Sequence, residues 1–238
     1  MKEEFTVEEL ASYLHWTPMQ VIKLASREKL PGRKVAGQWR FNEVEIHHWI
    51  EDEIGRADDE ALGRVEAILE RAETRETGRA EMIHLEKLIP VECVLIGTRS
   101  RSKRGVVREI CDHCADAGWI WDPEQMTEAV LDREAMHTTA LENGVALLHP
   151  RRPLPSILAD RFVTLAVSTA GIPFGGPRGA LTDIFFLLGS TDDGIHLRVL
   201  ARLSRLFAIP GFLTELRRAE SPGTAVDLIQ KMDAVISE

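Results

Sequence analysis

Cysteine is scarce in this chain: Cys93, Cys111 and Cys114 are the only three thiols among 238 residues. So small and odd a number builds no disulfide framework, and a reducing compartment is expected. Long apolar runs are missing as well. No stretch approaches the ~18 apolar residues that a membrane helix needs. The opening Met1-Lys2-Glu3-Glu4 is followed by no apolar leader. The expected place is therefore the cytoplasm, with no membrane partner. Positive charge is not in excess either, since 29 Lys and Arg stand against 38 Asp and Glu, a formal net charge of −9. That excludes a protein whose whole surface binds polyanions, although a local basic patch can still hold a phosphate backbone.

What is present is ordinary globular material, 44% hydrophobic and 28% charged, enough to bury a sizeable core. At 238 residues the chain is long for one compact domain and comfortable for two.

Residues 1–55 predict helix, turn, helix, wing, helix. Thr6 caps a first helix with Glu9 at the reciprocal position of a capping box, and Val7, Leu10, Ala11 and Leu14 form its apolar stripe, ending near His15. Thr17 caps again, with Pro18 at the first helical position and Gln20 closing a second box. Val21, Leu24 and Ala25 then face inward, leaving Gln20, Lys23, Arg27 and Met19 on the outward face. Arg33 to Phe41 alternates on both sides of a glycine-containing turn, a hairpin or wing. Asn42 caps a third helix with Glu45 at its box position, and Ile46, Trp49, Ile50 and Ile54 follow at helical spacing before Gly55. The run Phe5-Thr6-Val7-Glu8-Glu9-Leu10-Ala11, then Leu30 to Val35 and Gly37 to Phe41, resembles the excisionase-type, MerR-like winged helix-turn-helix family over residues 4–54. The resemblance implies DNA as partner. Seven basic against ten acidic residues from Met1 to Gly55 argue the other way, but the acids crowd the helix starts and the third helix. Lys23, Arg27, Lys29, Arg33, Lys34 and Arg40 gather where phosphates would lie, on the second helix and the wing.

From residue 56 to 81 a charged helical linker is expected, with Leu62, Val65, Leu69 and Ala72 at heptad-like spacing. Two readings stand side by side: a short homodimer seam, or one amphipathic helix lying on a neighbour or in solvent.

Residues 82–238 alternate strand and helix, an α/β layer with a mixed sheet flanked by helices. A buried strand is expected at Glu92–Gly97 and further strands at Val145–Leu148, Arg161–Val167 and Thr182–Leu188, the last an apolar run buried on both faces. Helices are expected after Ser102, Asp122, Asp193, Pro210 and Ser221-Pro222. The stretch Leu141 to Pro153 organises the domain. It is a turn, a short apolar strand and then His149, flanked at once by Arg151 and Arg152. Strand ends feeding loops present reactive side chains, and an imidazole beside fixed positive charge suits phosphoryl chemistry better than metal binding.

Arg133-Glu134, Thr138-Thr139 and Asn143-Gly144-Val145-Ala146 leading into His149, with Ile195 to Leu203 downstream, resemble the enzyme IIA domain of the fructose/mannitol/nitrogen class of the bacterial phosphotransferase system. That resemblance implies His149 as phosphoacceptor, Arg133, the Thr139 hydroxyl and His196 as supporting groups, no cofactor, no metal, and an HPr-type phosphocarrier as donor. The family usually has glycine after the active histidine, and this chain has Pro150, which removes one backbone N–H. Arg151 and Arg152 offer charge in compensation, and His137 stands where small residues are usual. Three readings follow: a DNA-binding regulator that senses phosphotransferase status through His149, a phosphocarrier merely tethered by its helix-turn-helix, or a degenerate sensor that keeps the histidine without the transfer. Cys111-Asp112-His113-Cys114 has zinc-like spacing but too few ligands, so core cysteines are expected. Gly175 to Gly179 lacks the ending of a phosphate-binding loop and is expected to be a tight loop beside the site. The basic run Arg99 to Arg108 is expected to be a solvated face or a dock for an acidic partner.

Overall fold

The computed structural model describes residues 4–14, 16–43, 45–46, 49–50 and 83–237. Its contacts sort the chain into two compact units, residues 1–83 with 197–205, and residues 84–196 with 206–238. The linker of residues 56–81, its heptad positions, and His15, Ile54 and Gly55 lie outside the described residues.

The first unit opens with β1 (Glu4–Phe5), α1 (Val7–Tyr13) and α2 (Pro18–Ala25), then β2 (Arg33–Val35) and β3 (Gln38–Asn42). Both predicted capping boxes are present: the Thr6 hydroxyl accepts from the Glu9 N–H and the Thr17 hydroxyl from the Gln20 N–H, while the Glu9 and Gln20 side chains accept in return from the N–H groups of Thr6 and Thr17. Helix α1 stops two residues before His15, with Leu14 as its cap. Its stripe Val7, Leu10, Ala11 and Leu14 is buried, together with Val21 and Ala25 of α2. The wing forms as expected, with Arg33 opposite Arg40, Lys34 opposite Trp39 and Val35 opposite Gln38. Its turn needs two positive φ angles, which Ala36 (51°) and Gly37 (81°) supply. One strand escaped the periodicity. Glu4–Phe5 pairs antiparallel with the other edge of β3, making a three-stranded sheet in the order β1-β3-β2. Helical backbone resumes at Glu43, where the Asn42 side chain accepts from the Glu45 N–H at 3.2 Å. Ile46 and Ile50 are buried, and Trp49 meets Trp16 edge-on at 5.8 Å.

The second unit holds a four-stranded sheet in the order β4-β6-β7-β5, formed by β4 (Leu95–Thr98), β5 (Val145–Leu148), β6 (Phe162–Ile172) and β7 (Thr182–Gly189). The pairs β4/β6 and β5/β7 are parallel and β6/β7 is antiparallel, the expected mixed sheet. Helices α3 (Lys103–Asp116) and α4 (Pro123–Met136) follow β4, and α5 (Asp193–Ala208), α6 (Phe212–Leu216) and α7 (Pro222–Ser237) follow β7. Because side chains alternate across a strand, Ala146 and Leu148 share a face with Ala166, Phe185 and Leu187. There they join Val106, Ile110, Cys111 and Cys114 of α3 and Met126 and Val130 of α4 in one core. On the other face Phe186 meets Phe207 at 5.3 Å. Burial of β7 on both faces is what its unbroken apolar run predicts.

Two strand boundaries differ from expectation. Val91–Cys93 is a helical turn, with the Cys93 N–H donating to the Pro90 carbonyl at 3.0 Å, so β4 starts only at Leu95. It is also an edge strand and half-exposed rather than buried. Strand β6 runs on to Ile172 through a register shift after Val167, which apolar periodicity cannot signal. The helix expected at Pro210 begins at Phe212, after Gly211. The apolar stripe of α5 (Leu197, Leu200, Ala201, Leu203, Leu206 and Phe207) is buried as predicted, but so are Arg198 and Arg202. Residues 197–205 of α5 group with the first unit. Among the described residues no helix is long and apolar enough to cross a membrane.

Candidate functional site

Strand β5 is placed from both ends. Before it, the Gly144 carbonyl accepts from the N–H groups of Asp183 and Ile184 at 2.9 and 3.1 Å. Arg217 bonds the Asn143 carbonyl at 2.7 Å and both oxygens of Asp183. Gly144 has φ +84°, which favours glycine, and a Cβ there would sit 2.7 Å from the Arg217 guanidinium and make that side chain shift. Along its outer edge β5 is covered by the segment after α4. Leu141 N–H bonds the Val145 carbonyl at 2.8 Å, and Leu147 N–H reaches the Thr139 carbonyl at 3.4 Å. This is why an edge strand is wholly buried.

His149 follows directly and is 3% exposed. Its Nδ1 lies 2.8 Å from the Leu147 carbonyl. A carbonyl only accepts, so Nδ1 carries the proton and a neutral ring has its lone pair on Nε2. His196, 6% exposed, sits in the first turn of α5, which Asp192 starts by accepting from the Ile195 N–H. The two imidazoles meet edge-to-face with centroids 4.8 Å apart. Nδ1 of His196 is 2.9 Å from the hydroxyl of Ser190, itself buried. Pro150 is buried, whereas Arg151 and Arg152 are exposed on the bend that follows.

Arg133, Glu134, Thr138 and Thr139 form a second group. The Arg133 guanidinium donates to the His137 carbonyl at 2.8 Å and so closes the end of α4. The buried Glu134 carboxylate accepts from the Thr139 N–H at 2.8 Å, the Thr139 hydroxyl, the Thr138 hydroxyl at 3.4 Å and the Lys103 ammonium at 3.2 Å. The Thr139 hydroxyl thus spends its proton on Glu134. The Leu147 to Thr139 bond ties this group to the strand carrying His149. His137 is exposed, and the imidazole beside His149 is that of His196.

Sequence spacing missed Ser190 and the role of Glu134, whose partners come from elsewhere in the chain. It also placed Lys103 in a solvated or docking run, while the structure sets it on Glu134 and over the Phe174 ring at 4.6 Å. Elsewhere in that run Arg104 pairs with Glu128, Arg108 pairs with Asp112 at 3.5 Å, and Arg101 donates to the carbonyls of Thr98 and Ser100, each at 3.2 Å. Burial works against ionisation of Glu109, but the N–H groups of Arg99 and Ser100 hold its carboxyl below the usual range. The glycine-rich loop begins next to this second group, where the Phe174 carbonyl just before it accepts from the Thr138 hydroxyl at 3.4 Å. The cysteines are free and fully buried. Burial pushes the Cys111 thiol up to about 12, and the Cys93 side chain followed by burial raises Cys114 as well, so these are core thiols. Among the described residues no group of three or more His, Cys, Asp or Glu could hold a metal.

In the first unit Lys23 is exposed on α2, but Arg27 lies in the turn after the helix, which ends at Ala25. Gln20 is exposed yet its side chain accepts from the Thr17 N–H at 2.7 Å as part of the cap. On the wing, Arg33 and Arg40 are cross-strand partners, and Arg33 is ion-paired with Glu4. Arg40 donates to the Trp39 carbonyl at 3.1 Å and to the Gln38 side chain at 3.0 Å. Lys34 lies over the Trp39 ring at 5.1 Å.

Residues 87–232 match the family described as the phosphoenolpyruvate-dependent sugar phosphotransferase system, EIIA 2, and residues 4–53 match a helix-turn-helix domain family. The chain is 24% identical over 151 residues to the PTS system fructose-specific EIIABC component of Bacillus subtilis, covering 63% of this chain and only 23% of that protein. It is 24% identical over 157 residues to the PTS system fructose-specific EIIA component of Haloferax volcanii, covering 64% of this chain and 98% of that one. The solved nitrogen regulatory protein IIA-Ntr of Neisseria meningitidis superimposes with a TM-score of 0.51 at 19% identity, covering 60% of this chain and 97% of that one. That likeness concerns the fold.

Proposed function

We propose that this chain, which belongs to the EIIA 2 family of the phosphoenolpyruvate-dependent sugar phosphotransferase system and carries a helix-turn-helix domain, is a DNA-binding transcriptional regulator that takes a phosphoryl group on His149. The observation that carries this reading is the bond from His149 Nδ1 to the Leu147 carbonyl, which puts the lone pair of a neutral ring on Nε2, beside His196. That lone pair attacks the phosphorus of a phosphohistidine on an HPr-type carrier. A new N–P bond forms, the carrier's N–P bond breaks, and its electron pair returns to the carrier's imidazole, which takes up a proton. His196 and Arg133 supply positive or donor character toward the phosphoryl oxygens, with Arg151 and Arg152 adding charge at the rim. Thr139 contributes through its place on Glu134. The phosphoryl group adds roughly −1.5 to −2 charges, and this change alters the protein's hold on DNA.

Full-length protein incubated with phosphorylated HPr gains one phosphoryl group by intact mass, and His149→Ala gains none. DNA binding by the phosphorylated and unphosphorylated forms then differs. Equal binding by both forms makes the chain a tethered phosphocarrier. No uptake from any carrier makes it a sensor that keeps the histidine without the transfer, a reading favoured by Pro150 and by the 3% exposure of His149.

A further inference from the structure

Both rings of the histidine pair are held through Nδ1, but by partners of different kinds. His149 faces a carbonyl, which only accepts, so its tautomer is decided by the backbone. His196 faces the Ser190 hydroxyl at 2.9 Å, which can donate or accept, so its tautomer depends on which way one proton points. Ser190 is the first residue after β7, and both it and the His196 ring are buried.

We propose that Ser190 is a positioning residue: its hydroxyl donates to Nδ1 of His196 and holds the neutral ring as the Nε2–H tautomer. This rests on the reading of His149 as phosphoacceptor. A phosphoryl group on His149 brings oxygens that only accept, so the neighbouring ring must present a proton to them. An imidazolium would do so from either nitrogen, whereas in a neutral ring the tautomer decides. A neutral ring with its proton on Nδ1 would instead turn the Nε2 lone pair toward other lone pairs. The neutral tautomer that can donate to them is the one with Nε2–H, and it requires an Nδ1 partner that donates. A serine hydroxyl meets that requirement, whereas a carbonyl of the kind that holds His149 could not. The two rings are thereby made complementary, one with a lone pair on Nε2 and one with a proton there.

Long-range proton–nitrogen NMR on the full chain reads this directly. In the wild type the His196 Nε2 carries the proton and Nδ1 shows the shift of an unprotonated nitrogen. Ser190→Ala lets His196 populate both tautomers and lowers the rate of phosphoryl uptake from phosphorylated HPr about tenfold, the usual scale for losing a group that orients a functional histidine. Ser190→Thr keeps the hydroxyl and restores both readouts. A wild-type His196 with its proton on Nδ1, or an unchanged tautomer in Ser190→Ala, overturns the proposal. If wild type accepts no phosphoryl group while Ser190→Ala still shifts the tautomer, the phosphoacceptor reading falls and the assignment of Ser190 stands.

Discussion

The wing of the first unit and the Glu134 cluster of the second handle their charges in opposite ways. On the wing, Arg33 (71% exposed side chain) is held by Glu4 (31%), and Lys34 rests on an aromatic face. Such surface contacts contribute roughly 0–1 kcal/mol each and exchange readily for another anion. Arg33 and Arg40 even stand directly opposite each other, a like-charge pairing that an intervening phosphate would relieve. In the second unit Glu134 is buried under four donors and organises the backbone of its neighbours. Charges of the first kind suit recognition of a polyanion, and those of the second kind suit fixing a geometry.

The largest effect expected from breaking that contrast is in Glu134→Ala. It strands the Thr139 N–H and the Lys103 ammonium, and about 3 kcal/mol of stability is lost in urea unfolding. A loss below about 1 kcal/mol would make Glu134 no more than a surface-type pair. Gly144→Ala forces a side chain into a φ of +84° and against Arg217, for about 2 kcal/mol. Here a neutral result would mean that the Asp183–Arg217 clamp does not define the turn. Arg33→Ala and Arg40→Ala are expected to change stability by no more than about 0.5 kcal/mol. Each weakens DNA binding and lowers the salt slope by about one, so titrations at several salt concentrations that give unchanged slopes remove the wing from the interface. The smallest effect concerns Glu109. Its folded value is depressed, so its stabilisation is complete above the ordinary carboxylate range and fades as pH falls through that depressed value. Glu109→Gln should flatten the acid side of the stability curve by a small amount, and parallel acid titrations of mutant and wild type would count against the contacts to Arg99 and Ser100.

How far the sequence could be read follows from the range of the forces involved. Caps at Thr6, Thr17, Asn42, Ser102 and Asp122 are local, acting over three residues, and all formed. The apolar runs of β5 and β7 were equally plain because burial selects residue type. Strand β1 has two residues and exists only through a partner across the sheet, so nothing in Glu4-Phe5 announces it. The Glu134 network and the Ser190 to His196 bond join residues whose proximity the fold creates, and burial of Arg198 and Arg202 contradicts residue type. His149 itself was legible from its setting at a strand end, but its hydrogen-bonded tautomer was not.

The contact between the His149 ring and the carbonyl two residues earlier also has a kinetic meaning. A side chain anchored to its own strand has no rotamer to select when a donor arrives, so the ordering entropy is settled during folding rather than at encounter. With the ring this restrained, the slow variable in any transfer becomes the approach of the second macromolecule to a side chain that is 3% exposed, and uptake should scale with donor concentration over a wide range before it saturates.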